Sequence, residues 1–150
     1  MNKGRPANKT REEGWSSRAS HSRRLARVIA VQALYESDVT GHPAAPAVSR
    51  RAAEAGLSAR MAEFAAELVA RVEATRQELD ATIAGAAPAW PVEQIPAVER
   101  SILRLALTEL AMGLGTPPSV VADEAVELAK LLGSESSPRF INGVLGTVLG

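Results

Sequence analysis

Three arginines, Arg23, Arg24 and Arg27, and the pair Arg139 and Asn142 are the residues whose types and spacing could do chemistry, and that chemistry is anion binding. Leu25, Val28, Ile29 and Gln32 recur at helical spacing, so the arginines share one arc of a helix. That helix is expected to begin near Ser20 or Ser22, both good caps. Cations in a first helical turn cost roughly 0.3–1 kcal/mol each when exposed, so three arginines there ask for an external counter-charge. The stretch SSPRFING (Ser136–Gly143) predicts a second helix N-terminus. Free backbone N–H groups at such an end attract phosphate, and Arg139 and Asn142 share a face. Singly, a solvated Arg139 and a locally bonded Asn142 are the simpler account. Tyr35 and Phe140 add aromatic faces, which readers of single-stranded RNA use for stacking beside arginine, although each aromatic alone reads as core. Duplex DNA fits less well, because no helix-turn-helix with an exposed polar recognition helix is visible.

Catalysis is not expected. His21 and His42 lack partners at metal-ligand spacing, and no phosphate loop, nucleophile elbow or paired-carboxylate motif occurs. Asp123, Glu124 and Glu127 lie close on one predicted helix and read as a solvated face or structural pairs. With no cysteine, disulfides, thiolate metal sites and a thiol nucleophile are excluded. Neither a metal nor a cofactor is expected.

The formal net charge is zero, but it is divided. Residues 1–28 hold eight Lys/Arg and two acids; the rest hold nine basic and fifteen acidic residues. A basic end on an acidic body points to a polyanion partner or to a tail folded on its own domain. No apolar run approaches the ~20 residues of a membrane span, and no signal-peptide core is visible. A soluble, cytoplasmic protein is expected.

The elements that must position these residues are helical throughout. Residues 1–19 read as a flexible basic tail containing Trp15, and residues 20–150 as one helical domain. The first helix becomes apolar on nearly all sides in its second half, so that half should be buried and its start should project. A short helix over about Val48–Ala55 follows the turn-rich GHPAAPA. Ser58 caps a long helix to about Ala84, with Gly85 placed for a left-handed cap. Trp90, among three prolines, is expected to plug a seam. Pro96 opens a central core helix to about Met112, on which Arg100, Arg104 and Thr108 form the one polar stripe. A helix over about Pro118–Leu132 precedes the last one, where Gly143 and Gly146 would allow close helix contact. The reading is all-α, about seven helices in a packed bundle.

Three separated stretches, SRRLARVIAVQALYESD, APAWPVEQIPAVERSILRLALTEL and TPPSVVADEAVELAKLLGSESSPRFINGVLG, resemble the NusB family of bacterial transcription antitermination factors, in the right order. The resemblance implies two small packed helical bundles and no catalysis. It implies pairing with NusE, a ribosomal protein, and binding of the single-stranded boxA element of nascent ribosomal RNA. It also implies a complex with other Nus factors and RNA polymerase that suppresses termination. By motif, RNA-facing residues are Arg23, Arg24, Arg27, Gln32, Tyr35, Arg139, Phe140 and Asn142. The NusE-facing surface is expected around Glu99, Arg100, Arg104 and Glu109. Some relatives homodimerise, and apolar surface beside the arginine helix could support that here. Asp123 stands where the family often has Asn, and Ser136 where it often has an acid. Two other readings compete. One is a stand-alone helical interaction module whose basic end binds an acidic protein. The other is a NusB-like domain related to that of ribosomal RNA methyltransferases, which needs a downstream S-adenosylmethionine-binding domain.

Overall fold

The structure, a computed structural model, describes the backbone of residues 7–150 and the side chains of residues 21–150. Among the described residues there are seven α-helices and no strand. They are α1 (Ala7–Thr40), α2 (Ala44–Glu54), α3 (Ala59–Ala74), α4 (Arg76–Ala86), α5 (Ala97–Met112), α6 (Pro118–Leu132) and α7 (Ser137–Leu149), with a single 3-10 turn at Val92–Gln94. Helices α1, α2 and α3 pack on one another as one small bundle; α4, α6 and α7 gather around α5 as the second. Helix α5 also packs on α1 and α3, so it joins the two. Its residues 101–109 are all buried, as a helix apolar on nearly every side must be.

Helix α1 begins at Ala7, well before Ser20. Pro6 suits the entry to a helix, and Gly14 is the one breaker between it and Gly41. Arg23, Arg24 and Arg27 therefore stand several turns inside the helix, beyond the first turn over which the dipole acts. The end-of-helix cost assigned to them does not arise. Trp15 lies outside the residues whose side chains are described. Beyond Arg27 the expected burial holds, with Ile29, Ala30, Val31, Ala33 and Leu34 all in the core.

The long helix expected over residues 58–84 is two helices. Ser58 does cap α3, accepting from Met61 N–H at 3.2 Å. At Thr75 the backbone leaves the helical region (φ −121°, ψ 21°), and the Thr75 hydroxyl donates to the Arg71 carbonyl at 2.8 Å, a local bond that competes with helix continuation. The break re-aims the apolar stripe. Leu68, Val69 and Val72 serve the first bundle, while Leu79 and Ile83 on α4 turn toward α5 and α7. Gly85 stays within α4 and is not left-handed; positive-φ glycines instead follow α1 (Gly41, φ 78°), α2 (Gly56, φ 69°) and α5 (Gly113, φ 61°).

Trp90 does not plug a seam. It is 53% exposed, because Ala87 and Ile95 supply the buried anchors of the proline-rich connection. Arg100 fastens that connection, donating from Nη1 to the carbonyls of Val92, Glu93 and Ile95. Gly143 and Gly146 face open space instead of a close helix. The close approach is at Gly133, where a Cβ would overlap Ser137 Oγ, crowd Ser137 Cβ at 2.6 Å and the Ala129 carbonyl oxygen at 2.9 Å. No side chain fits there while Ser137 holds its place.

Candidate nucleic-acid interface

On α1 the arginines part company. Arg23 is exposed and makes no ion pair among the described residues. Arg24 reaches α6, with Nη2 2.8 Å from Glu124 Oε1 and Nε 3.2 Å from Oε2. Arg27, expected to meet an RNA phosphate, is turned inward. It is 6% exposed and grips Glu109 on α5 through Nε (2.6 Å) and Nη2 (2.9 Å). Its guanidinium lies 5.7 Å from the Phe64 ring centroid. A carboxylate on the fully buried face of α5 requires a cation, and Arg27 is the one that reaches it. One stripe of α1 carries Arg24, Val28, Gln32 and Tyr35 at spacings that share a face. Gln32 is half-buried and Tyr35 is 41% exposed.

Helix α6 lies between α1 and α7, packing on both. Beyond Glu124, residues Asp123, Val126, Glu127 and Lys130 of α6 form a shallow depression with Pro138, Arg139 and Asn142 of α7. Arg139 and Asn142 are exposed, and Glu127 is held by Lys130 at 3.1 Å. Arg139 also borders a second groove, of about 470 Å³, with Phe140, Trp90, Ile95, Pro96 and Glu99. The cations of α1 and α7 thus arrive on the two sides of one helix. Of the carboxylates between them, Glu124 and Glu127 are already paired, in keeping with their reading as structural pairs. Among the described residues no cluster suits a metal ion. Trp90, exposed on the border of that groove, is not among the expected site residues, because a lone tryptophan among prolines reads as core.

The residues expected to face NusE are used within the fold. Glu99, Arg104 and Glu109 are each 6% exposed. Glu99 accepts from the Ser137 hydroxyl, Arg104 is bidentate to Asp80, and Arg100 binds Asp38 at 2.6 Å. A polar stripe on a helix surrounded by other helices finds its partners inside, so these side chains offer little surface to another protein.

The Arg24 pair has a pH consequence. Hydrogen bonds from Arg24 hold the Glu124 carboxyl below the ordinary carboxylate range, with burial opposing and the charges of Arg24 and Arg27 assisting. A carboxyl depressed in the folded state stabilises it above the unfolded value, about 4.3, and that stabilisation is lost as pH falls through the lower folded value. Glu124→Gln is therefore expected to lower the urea midpoint at neutral pH and to make its decline below about pH 4.3 shallower than in the parent. Parallel acid limbs in the two proteins would count against the pair.

Residues 24–149 match the model of the NusB family. The chain is 45% identical over 134 residues to the transcription antitermination protein NusB of Chloroflexus aggregans, covering 88% of this chain and 89% of that one. It is 46% identical over 124 residues to that of Rubrobacter xylanophilus, covering 83% and 87%. Among solved structures, T. maritima NusB superposes with a TM-score of 0.79 at 27% identity, over 84% of this chain and 89% of that one. A complex of the antitermination factors NusB and NusE with double-stranded RNA contains a chain matching at TM-score 0.77 and 27% identity, over 85% of this chain and 96% of that one. No helix among the described residues is long and apolar enough to cross a membrane. With the family pattern running through both bundles and relatives above 40% identity spanning most of both partners, the chain belongs to the NusB family of transcription antitermination proteins.

Proposed function

We propose that this chain, a non-catalytic antitermination factor, pairs with NusE to bind the single-stranded boxA element of nascent ribosomal RNA. The pair then helps to assemble a complex with other Nus factors on RNA polymerase in the cytoplasm. The observation that carries this reading is the arrival of Arg24 from α1, and of Arg139 and Asn142 from α7, on the two flanks of α6, with Arg23 exposed next to Arg24 on α1. Tyr35 and Phe140 offer stacking faces at its borders. Arg27 supports the site from beneath by fixing α1 to α5, and the excess of basic residues over positions 1–19 adds to the attraction for a polyanion. Glu99, Arg100, Arg104 and Glu109 shape the NusE-facing region from within. The solved relative with NusE holds a duplex, whereas an unpaired strand suits this site better, since bases must be free to stack.

The test is RNA affinity measured with NusE over a salt series. Single-strand binding weakens with a log–log slope of about −0.7 per phosphate neutralised. Arg23→Ala and Arg139→Ala are each expected to weaken binding and to reduce the slope by about that amount, with thermal midpoints unchanged because both residues are exposed. A boxA strand should outcompete its own duplex. Unchanged affinity and slope in both variants would remove these residues from the site. The oligomeric state, followed in the same titration, shows whether a homodimer must open first.

A further inference from the structure

We propose that the groove between α1, α3 and the loop after α5 is a further phosphate-binding subsite for the RNA strand, with Arg60 as its ligand beside Arg23; this rests on the RNA-binding reading above. The groove encloses about 370 Å³ and is lined by Arg23 and Arg27 of α1, by Arg60, Met61 and Phe64 of α3, and by Glu109 and the loop residues Leu114, Gly115 and Thr116. Arg23 and Arg60 are exposed, and neither forms an ion pair or side-chain hydrogen bond among the described residues. The one carboxylate in the lining cannot satisfy them, because Arg27 occupies both Glu109 oxygens. The first turn of α3 contains no acid either, and Glu63, one turn on from Arg60, makes no pair with it among the described residues. Two unneutralised guanidiniums therefore line one concave surface whose other charges cancel.

Guanidinium forks match phosphate oxygens bidentately. The Thr116 hydroxyl can donate beside them, and Leu114, 55% exposed, gives a sugar or base an apolar contact. An RNA strand is favoured over a free anion by continuity. Arg23 and Arg24 are adjacent in sequence, so they leave α1 about 100° apart, Arg24 toward α6 and Arg23 into this groove. A strand crossing α1 between them passes from the α6–α7 flank to α3.

The test uses the full chain with NusE and a single-stranded boxA RNA, in the parent, Arg60→Ala and Arg60→Lys proteins. Arg60→Ala is expected to reduce the log–log salt slope by about 0.7 without changing the thermal midpoint, and Arg60→Lys to restore the slope with weaker affinity, since a point charge replaces a fork. Shortening the RNA from one end should abolish the difference between parent and Arg60→Ala. If Arg60→Ala binds like the parent while Arg23→Ala and Arg139→Ala bind less well, the subsite is refuted and the RNA reading stands. If the parent shows no salt-dependent RNA binding, both fall. If Arg60→Ala changes self-association and leaves RNA affinity intact, the groove is an interface between copies and the proposal is overturned.

Discussion

Arg27→Ala is expected to destabilise the protein by about 3–5 kcal/mol, the range found when one member of a buried ion pair is removed. Glu109 would be left on the inner face of α5 with both oxygens unpaired, and the contact with Phe64 would go with the guanidinium. Urea unfolding at neutral pH reads this directly. The double variant Arg27→Met, Glu109→Leu should recover most of the loss, because well-packed apolar residues can replace a buried pair at little net cost. That recovery separates two roles for Arg27. If its work is to hold α1 against α5, the double variant also regains RNA binding. If it meets phosphate itself, stability returns and RNA binding does not. A single-variant loss below about 1 kcal/mol would mean that the pair is screened like a surface one.

Asp38→Asn is expected to cost about 2–4 kcal/mol, somewhat less than a fully enclosed pair because the carboxylate keeps 14% of its exposure. Asp38 ends the buried course of α1 and draws on both bundles. Arg100 of α5 approaches its Oδ2 at 2.6 Å, Arg104 of α5 at 3.7 Å, and Arg76 of α4 approaches Oδ1 at 3.8 Å. Asp80 is the second carboxylate of the group, taken by Arg104. Two carboxylates thus serve three guanidiniums, and Arg76 Nε is already buried without a partner. Removing one negative charge leaves the cations to repel one another at the seam between bundles. The check is whether unfolding stays a single transition. Early loss of α4 and α5 order, followed by amide exchange, would locate the damage at that seam; unaltered exchange there would argue that Asp38 is dispensable.

Much of the fold was legible because helix signals are local. Pro96 before α5, Gly113 after it, and the Pro118–Leu132 span of α6 follow from residues a few positions apart. The near-continuous apolar surface of residues 101–110 marked α5 as central, and its burial agrees. The break at Thr75 was not legible, since the apolar stripe continues through it and a single threonine is a weak stop signal. Trp90 was misplaced because a large apolar side chain reads as core wherever it falls, although singly exposed apolar residues are ordinary.

The candidate site divides along the same line. The sequence alone determined that the chain is all-helical, that it carries the family pattern, and that its cations concentrate in residues 1–28, with Arg139 at the head of the last helix. Composition and periodicity suffice for the helices and the charge, and three separated motifs carry the resemblance; each is read from neighbouring residues. Only the tertiary structure decided which cations stay available. Arg24 finds Glu124 one hundred positions away, Arg27 finds Glu109 eighty-two away, and Arg100 finds Asp38 sixty-two away. An arginine's role depends on whether an acid lies within a few ångströms after folding, and charge attraction carries no record of separation along the chain. Arg23, Arg60 and Arg139 are left facing outward by that sorting.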